Sequence, residues 1–311
     1  MPNTLGRDQV WTNDIWSGID QAVEDEVGRI RVVQKAIPSV SVQDAPNVPA
    51  AHFEPDEMTM AEGVTKPMIE ISVEFSLTSN QVTNEQTLHT GQSLARLAAK
   101  KLALAEDTIL LRGAQAELPK KVTVQHRDSA GVGLLSAGTD EDRDKKKPMT
   151  LRLGPQNNVG EEIFKAVTQG IAELTRKGQP GPYALILESG LYADAFTPTG
   201  PNLVTAADRL VPSSTGAQGL LPGGLYGTSV LPKDHGLLIS LGGDPTTIYV
   251  GTYQRSDGQT LDAMTAYTGQ DEAGRYRFRV YERIQFVTRE KSALLNLAFE
   301  RVGEQAMKRG A

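Results

Sequence analysis

The chain has 311 residues, of which 39% are apolar and 23% charged, and its net charge is −6. The apolar fraction is large enough for a sizeable core. The negative net charge disfavours a strongly basic protein that binds nucleic acid. The sequence has no cysteine, which excludes disulfides and thiolate metal sites, and no stretch approaches the ~20 apolar residues that span a bilayer. We therefore expect a soluble protein that is made in the cytoplasm or released when the cell lyses.

The first predicted element is a helix over residues 8–36. Asp8 is placed to cap its start, and Pro38 closes it. Its apolar residues recur at helical spacing and are Val10, Trp11, Ile15, Ile19, Val23, Val27 and Ile30.

An extended arm is predicted next. Residues 38–67 contain several prolines and show little periodicity, which is unusual for a loop inside a compact domain. From residue 69 to residue 77, apolar and polar side chains then alternate, as in a half-buried strand. A proline-rich segment that leads into a long amphipathic strand suggests an arm that leaves the body of its subunit.

The strongest helical pattern covers residues 84–112, and Gly113 follows as a plausible C-cap. We interpret it as a structural spine. Its predicted buried stripe consists of Leu94, Leu97, Ala98, Leu102, Ala105, Ile109 and Leu110. Residues 114–158 are polar, with a charged run at 140–147, and are interpreted as a surface excursion.

The rest of the chain predicts a helix at 161–177, a strand at 183–187 and a further helix through Leu191, Tyr192 and Phe196, which together form an α/β layer. Residues 197–224 are rich in Gly, Pro, Ser and Thr around a short helical stretch. Candidate strands follow at residues 225–231, 237–241, 246–250, 275–289 and 292–299.

The sequence lacks the pattern of a catalytic or metal site. None of the four histidines, His52, His89, His126 and His235, has a second histidine or a carboxylate at metal-ligand spacing. The acid pair at residues 106 and 107 lies side by side on a helix, where neighbours do not face each other. We therefore expect a protein that is not an enzyme and that holds no cofactor and no metal.

One face of the strand at 275–289 is rich in arginine. One interpretation is a solvated face balanced by acids, a second is a surface that binds another subunit or its arm, and a third is contact with packaged nucleic acid. We predict contacts between subunits, because arginine forms planar, bidentate contacts with carboxylates. The candidate residues are Glu70, Glu74, Arg275, Arg277, Arg279 and Arg283.

Several local strings, in this order, resemble the encapsulin or linocin-like family, which shares the fold of the Hong Kong 97 phage capsid. They are Trp16-x-x-Ile19-Asp20, the strand at 66–75, the helix end at 105–113, and the strings at 131–135, 181–187 and 278–282. The resemblance implies an α+β chain with an N-terminal helix, an extended loop, a peripheral domain that contains the spine helix, and an axial domain. The implied segments are 1–46 (N-terminal helix or arm), 47–77 (extended loop and its strand), 78–158 (peripheral domain), 159–250 (axial domain, with an axial loop at about 197–224) and 251–311 (return strands and C-terminal tail).

The resemblance also implies function. We expect a shell protein that assembles with itself as pentamers and hexamers into an icosahedral capsid and that is not bound to a membrane. Our main prediction is a tailed-phage major capsid protein, assembled in the bacterial host cytoplasm, that encloses DNA non-specifically in the virion. The alternative is an encapsulin, a cytoplasmic nanocompartment around cargo enzymes, and a third possibility is a soluble α+β enzyme or binding module.

Departures from the encapsulin pattern favour the phage capsid. The Gly-Arg-Arg box and the Gly-Pro-Leu-Gly string are missing after the first helix, where residues 28–34 stand instead, and the segment 114–158 is longer than expected. If cargo docks, the resemblance implies an inner groove at the N-terminal helix near Trp16, Ile19 and Val23. Capsids of this fold that join a lysine to a neighbour's asparagine suggest a covalent crosslink between Lys66 and Asn296.

Overall fold

The structure is a computed structural model that describes residues 6–43, 46–54, 59–61, 63–138, 148–153, 159–198, 204–212, 219–242, 247–254 and 263–301. The helices in these ranges are α1 (Asn13–Ile30), α2 (Val33–Ala36), α3 (Ser79–Thr83), α4 (Glu85–Leu88), α5 (Thr90–Arg112), α6 (Gly133–Ala137), α7 (Val159–Arg176), α8 (Ser189–Ala195) and α9 (Ala206–Leu210). The strands are β1 (Ser39–Gln43), β2 (Asn47–Pro49), β3 (His52–Glu54), β4 (Thr59–Ala61), β5 (Thr65–Pro67), β6 (Ile69–Leu77), β7 (Val122–Gln125), β8 (Met149–Leu153), β9 (Tyr183–Glu188), β10 (Leu225–Thr228), β11 (His235–Ser240), β12 (Ile248–Gln254), β13 (Met264–Gln270), β14 (Tyr276–Thr288) and β15 (Leu294–Arg301).

The first sheet has the strand order β1-β12-β14-β6-β7, and β13 also pairs with β14. Its apolar face packs against α1 and α5, which also pack on each other. Phe278 lies at the centre of this core, fully buried, with its ring centroid 4.8 Å from that of Trp11 and 5.3 Å from that of Phe75. The long β14 and the spine helix α5 are therefore the two elements on which this half of the molecule is built.

The second sheet has the order β10-β9-β11-β15-β8, with α7, α8 and α9 packed around a separate apolar core. The strand β9 is apolar and buried almost throughout, as expected for a strand covered on both faces. The strong amphipathic pattern of α7 explains why its position could be predicted, because Ile163, Val167 and Leu174 all point into this core.

The arm begins on the body of the molecule. Strand β2 pairs with β5 and strand β3 pairs with β4, both antiparallel. Val48 and Met68 pack against Tyr249 and Val287, and the Tyr249 hydroxyl donates a hydrogen bond to the Pro49 carbonyl at 2.7 Å. The base of the arm is thus anchored on the first sheet. The arm is a paired ribbon rather than the aperiodic loop expected from its prolines.

Two predicted helices are each divided in the structure. The helix expected at 8–36 is a short 3₁₀ turn at Arg7–Gln9 followed by α1 and α2. The helix expected at 84–112 is α4 and α5, separated by His89 in the left-handed conformation with φ 47°. Periodicity continues across both breaks, which is why the sequence did not reveal them. The expected C-cap at Gly113 is confirmed, with φ 84°.

Burial differs from the prediction at two places. Leu97, expected in the buried stripe of the spine, is 52% exposed, because only the C-terminal half of α5 is covered on all sides. The predicted alternation on β6 is also incomplete, since Glu70 and Ser72 on its polar face are buried as well. Amphipathic periodicity identifies the face that packs, but not the point along an element where packing ends.

Sheet membership adds detail that the sequence did not give. The strands β1, β7, β8 and β13 and the arm strands were not predicted. In the segment 114–158, which was expected as a surface excursion, β7 pairs with β6, β8 pairs with β15, and Leu134 is fully buried. The strand β15, assigned by the resemblance to the returning strands of the peripheral domain, pairs with β11 and β8 in the second sheet. The predicted domain limits themselves stay a prediction.

Candidate functional site

The arginines of β14 meet the carboxylates of β6 within one chain. Antiparallel pairing places Arg279 opposite Glu74 and Arg283 opposite Glu70. Arg283 donates to Glu70 at 2.8 Å, and Arg277 reaches diagonally to Glu74 at 2.8 Å. Arg279 donates to Glu70 at 3.0 Å, four residues along β6 from its own opposite residue. The sheet register places these charges on one face and explains the opposite pair and the diagonal pair, whereas the Arg279 contact also needs the full length of the arginine side chain.

Glu70 is the buried member of the ladder. Its side chain is 8% exposed and accepts from two guanidinium groups, which offsets the cost of burying its charge. Two tyrosine rings support the arginines from the side: the Arg279 guanidinium lies 4.3 Å from the Tyr281 ring and that of Arg283 lies 5.3 Å from the Tyr253 ring. Burial raises the pKa of Tyr281, against the opposing effect of the two arginines.

The structure therefore brings together five of the six predicted contact residues. Arg275 lies outside β14, in the exposed turn after β13, and its backbone N–H donates to the Asp271 carboxylate. Because Arg277, Arg279 and Arg283 have carboxylate partners in their own chain, no second subunit is needed to satisfy their charge. Their role in contacts between subunits stays a prediction.

The residues predicted for a groove at the N-terminal helix are mostly core. Trp16 and Val23 are buried, and the Trp16 indole donates to the Arg7 carbonyl at 3.1 Å. A groove of about 240 Å³ does lie beside them, between α1 and the junction of α4 with α5. Its lining includes Asp14, Ile15, Gly18, Ile19, Glu85 and His89. Of the three predicted residues, only Ile19 contributes to it.

Sequence reasoning missed the other lining residues of this groove, among them Gly18 and His89. Nothing lies within 4 Å of the position that a Cβ would take on Gly18, so this glycine leaves an opening on the face of α1. His89 divides α4 from α5, and the buried Glu85 carboxylate accepts from the N–H groups of Gly91 and Gln92 at 2.7 and 2.9 Å. The sequence signal for this groove was Gly18, a glycine within an otherwise amphipathic helix.

The two residues of the predicted crosslink lie in different sheets of the chain. Lys66 lies on the arm strand β5 with its ammonium 5.3 Å from the Phe286 ring centroid, and burial lowers its pKa. Asn296 lies on β15 in the second sheet, is 5% exposed, and donates to the Leu135 carbonyl at 3.1 Å. Burial of Asn296 disfavours attack by a lysine from a neighbouring chain, although the crosslink itself stays a prediction.

A buried polar cluster joins α1, α2, α5 and β14. The Arg31 guanidinium donates to Glu106 at 2.5 Å and to Glu282, and Gln34 also donates to Glu106 at 2.7 Å. The carboxylate of Asp107 accepts from the N–H groups at the start of α2 and so fixes the break between α1 and α2.

Burial perturbs the acids of this cluster. It raises the pKa of Glu106, against the effect of Arg31, and together with the charge of Glu106 it raises the pKa of Asp107 to about 7. The sequence analysis rejected the adjacent acids at 106 and 107 as a catalytic dyad. In the structure the Glu106 carboxylate accepts from Arg31, whereas the Asp107 carboxylate accepts from the backbone of α2. Because the two acids bind different partners, the cluster connects α1, α2, α5 and β14.

The remaining titratable groups were compared with the arrangement that a metal site requires. Within the ranges that the structure describes, no group of three or more His, Asp or Glu side chains could hold a metal ion. The histidines are scattered over the arm, the groove, the turn after β7 and the start of β11. No helix of the described residues is long and apolar enough to cross a membrane.

Comparisons with known proteins agree on the fold. The family model described as the encapsulating protein for peroxidase, of the linocin family, matches residues 133–285, just under half of the chain. No curated protein sequence matches the chain significantly. The resemblance to this family that the sequence strings indicated is confirmed.

Solved shell structures match nearly the whole chain. A virus-like particle protein of Pyrococcus furiosus has a TM-score of 0.63 at 14% identity, over 91% of this chain and 98% of that one. The capsid of an empty GTA particle has a TM-score of 0.54 at 12% identity, over 86% and 89%. The SrpI encapsulin of Synechococcus elongatus has a TM-score of 0.52 at 10% identity, over 84% of each chain. The chain has the Hong Kong 97-like capsid fold, and the predicted α+β architecture is confirmed.

Proposed function

We propose that this chain is a structural subunit that assembles with itself into a closed icosahedral shell. The observation that carries the proposal is its likeness, over 91% of its length, to a chain that forms a virus-like particle. The arm adds support, because its base is anchored on the first sheet while Thr59 and Met60 on β4 are exposed and available to another copy. Catalysis is not part of this proposal.

Within this class we favour a tailed-phage major capsid protein that is assembled in the host cytoplasm and encloses DNA in the virion. The support comes from the sequence, which lacks the Gly-Arg-Arg and Gly-Pro-Leu-Gly strings at residues 28–34 and carries the long segment 114–158. The capsid of the GTA particle shares the fold over a similar length of chain.

The second candidate is an encapsulin that encloses cargo enzymes. The family model match over residues 133–285 favours it, as does the groove between α1 and the junction of α4 with α5. Such a groove could receive an extended peptide from a cargo protein. The two candidates share assembly and differ in what the shell contains.

The contents of the shell separate the candidates. The full chain is expressed alone and the particles are purified by sedimentation, treated with nuclease and imaged by negative-stain electron microscopy. Expression is then repeated together with portal and protease proteins, or with a candidate cargo enzyme that carries a terminal peptide. Nuclease-protected DNA in the first case supports the phage capsid, and retained enzyme that is lost on deletion of the peptide supports the encapsulin. Only monomers or dimers under every condition would reject both.

A further inference from the structure

The exposed side of the spine helix α5 carries a compact group of cations, here called the α5 basic surface. Its members are Arg96, Lys100, Lys101, Lys120 and Lys121. Arg96 and Lys100 are four residues apart and so lie on one face of the helix. The Lys101 ammonium donates to the Lys120 carbonyl at 3.3 Å, which brings the turn before β7 against the helix. All five side chains are exposed or partly exposed.

Several other surface cations of the protein form ion pairs with acidic partners. Lys165, Arg176 and Arg209, for example, each form an ion pair with a glutamate. None of the five members of the α5 basic surface forms an ion pair with any residue in the described ranges. Like charges at this spacing repel each other, so the arrangement is unfavourable unless an anion binds there.

The surroundings limit what kind of anion fits. The chain has a net charge of −6, and the neighbouring helix α1 exposes Asp14, Glu24 and Asp25. A polyanion that covered a broad area would be repelled by these acids. The contact must therefore be narrow and weak, and its affinity must depend on salt. A regularly spaced phosphate backbone that crosses α5 satisfies this condition, because lysine and arginine neutralise phosphates without reading sequence.

We propose that the α5 basic surface binds the phosphate backbone of nucleic acid. This contact adds to the proposed shell function, and binding to the free subunit tests it independently of assembly. The β14 ladder lies on the opposite face of the first sheet and has its own carboxylates, so it is not the nucleic-acid surface.

The first test measures binding to full-length subunits released from shells by mild denaturation and refolded, with a fluorescent DNA duplex as the probe. Anisotropy gives the affinity at several salt concentrations. For five phosphate contacts, log K falls with log salt with a slope of about −4.5, which is a loss of affinity of about 500-fold between about 50 and about 200 mM salt. Lys100→Gln with Lys101→Gln should lower the slope by about 2 and weaken binding by about tenfold or more at the lower salt.

Two controls define the surface. Lys165→Gln with Arg176→Gln removes two cations from α7 and should leave DNA binding unchanged. Leu97→Ala removes the exposed leucine that lies among the cations and should also leave it unchanged. If Leu97→Ala weakens binding as much as the lysine changes do, the contact is apolar and the proposal is overturned. Should the helix variant fail to fold, Lys120→Gln with Lys121→Gln in the turn replaces it.

The second test uses assembled shells. The nuclease-protected nucleic acid in shells of the Lys100→Gln, Lys101→Gln variant should fall below the wild-type content, while negative staining still shows closed particles. Unchanged DNA binding and unchanged contents would overturn the proposal. Folded variant subunits that no longer form shells would also overturn it, because the surface would then bind a second copy. If wild-type shells never form, the proposed function fails while the subunit measurement still tests the surface.

Discussion

Arg31 and Glu106 form a fully enclosed ion pair that ties the end of α1 to the spine helix. The guanidinium Nε lies 2.5 Å from the carboxylate, and the two side chains are 6% and 0% exposed. A charge at this depth is tolerated only while it is paired and hydrogen-bonded. The same arginine also donates to Glu282 on β14, so one residue connects both layers of this half of the fold.

Removing the arginine should therefore be costly. Arg31→Ala leaves Glu106 and Glu282 buried without their cation, and we expect the free energy of unfolding to fall by about 3–5 kcal/mol. Urea unfolding of the subunit measures this. The matched control is Arg29→Ala, whose side chain is 73% exposed and whose pair with Glu26 should be worth about 0.5 kcal/mol or less. Equal losses for the two variants would show that the Arg31 cluster does not stabilise the fold.

The stability of the protein should depend on the protonation of Asp107. Its folded pKa is raised from 3.8 to about 7, so the folded state binds a proton between these values that the unfolded state releases. The contribution of this group to stability is therefore fully present below about pH 4 and is lost as the pH rises towards 7. In Asp107→Asn, which keeps a hydrogen-bond acceptor for α2, the free energy of unfolding should depend less on pH between 5 and 7 than in the wild type. Parallel pH profiles for the two proteins would contradict this account.

The spine helix gives a direct comparison of a buried and an exposed apolar residue. Ile109 is 0% exposed, and Ile109→Ala should cost about 2–5 kcal/mol. Leu97 is 52% exposed, and Leu97→Ala should cost about 0.5 kcal/mol or less, contrary to the expectation from periodicity. Thermal melts of the two variants are the measurement. A large loss for Leu97→Ala would mean that another surface covers it in the subunit.

The arm can be divided into a structural base and an outer part. Val48 and Met68 at the base are buried against the first sheet, whereas Thr59 and Met60 on β4 are exposed. Replacing residues 52–61 by a short glycine-serine linker should leave the melting temperature of the subunit nearly unchanged but prevent closed shells. Removal of residues 48–60, which includes Val48 and Ala50, should in addition destabilise the subunit. Normal particles from the shorter replacement would show that the arm does not join subunits.

Elements with strong local periodicity could be predicted from sequence, and elements defined by contacts between distant residues could not. The stripe of α7 and the alternation of β6 gave their positions, whereas the end of α1 is set by Asp107, about 75 residues away along the chain. The arginine face was recognisable because β14 alternates regularly, yet its partners depend on the register with β6. The groove beside α1 and the buried Arg31 cluster arise where separate elements meet, so only three-dimensional packing reveals them.

Assembly is the central claim, and it can be measured directly. The full chain, purified under mild conditions, is weighed by native mass spectrometry and imaged by negative-stain electron microscopy. The account predicts closed particles of uniform diameter whose mass corresponds to many tens of copies, consistent with the Hong Kong 97-like fold of the chain. A well-folded protein that remains monomeric or dimeric at all concentrations and salt conditions would contradict it.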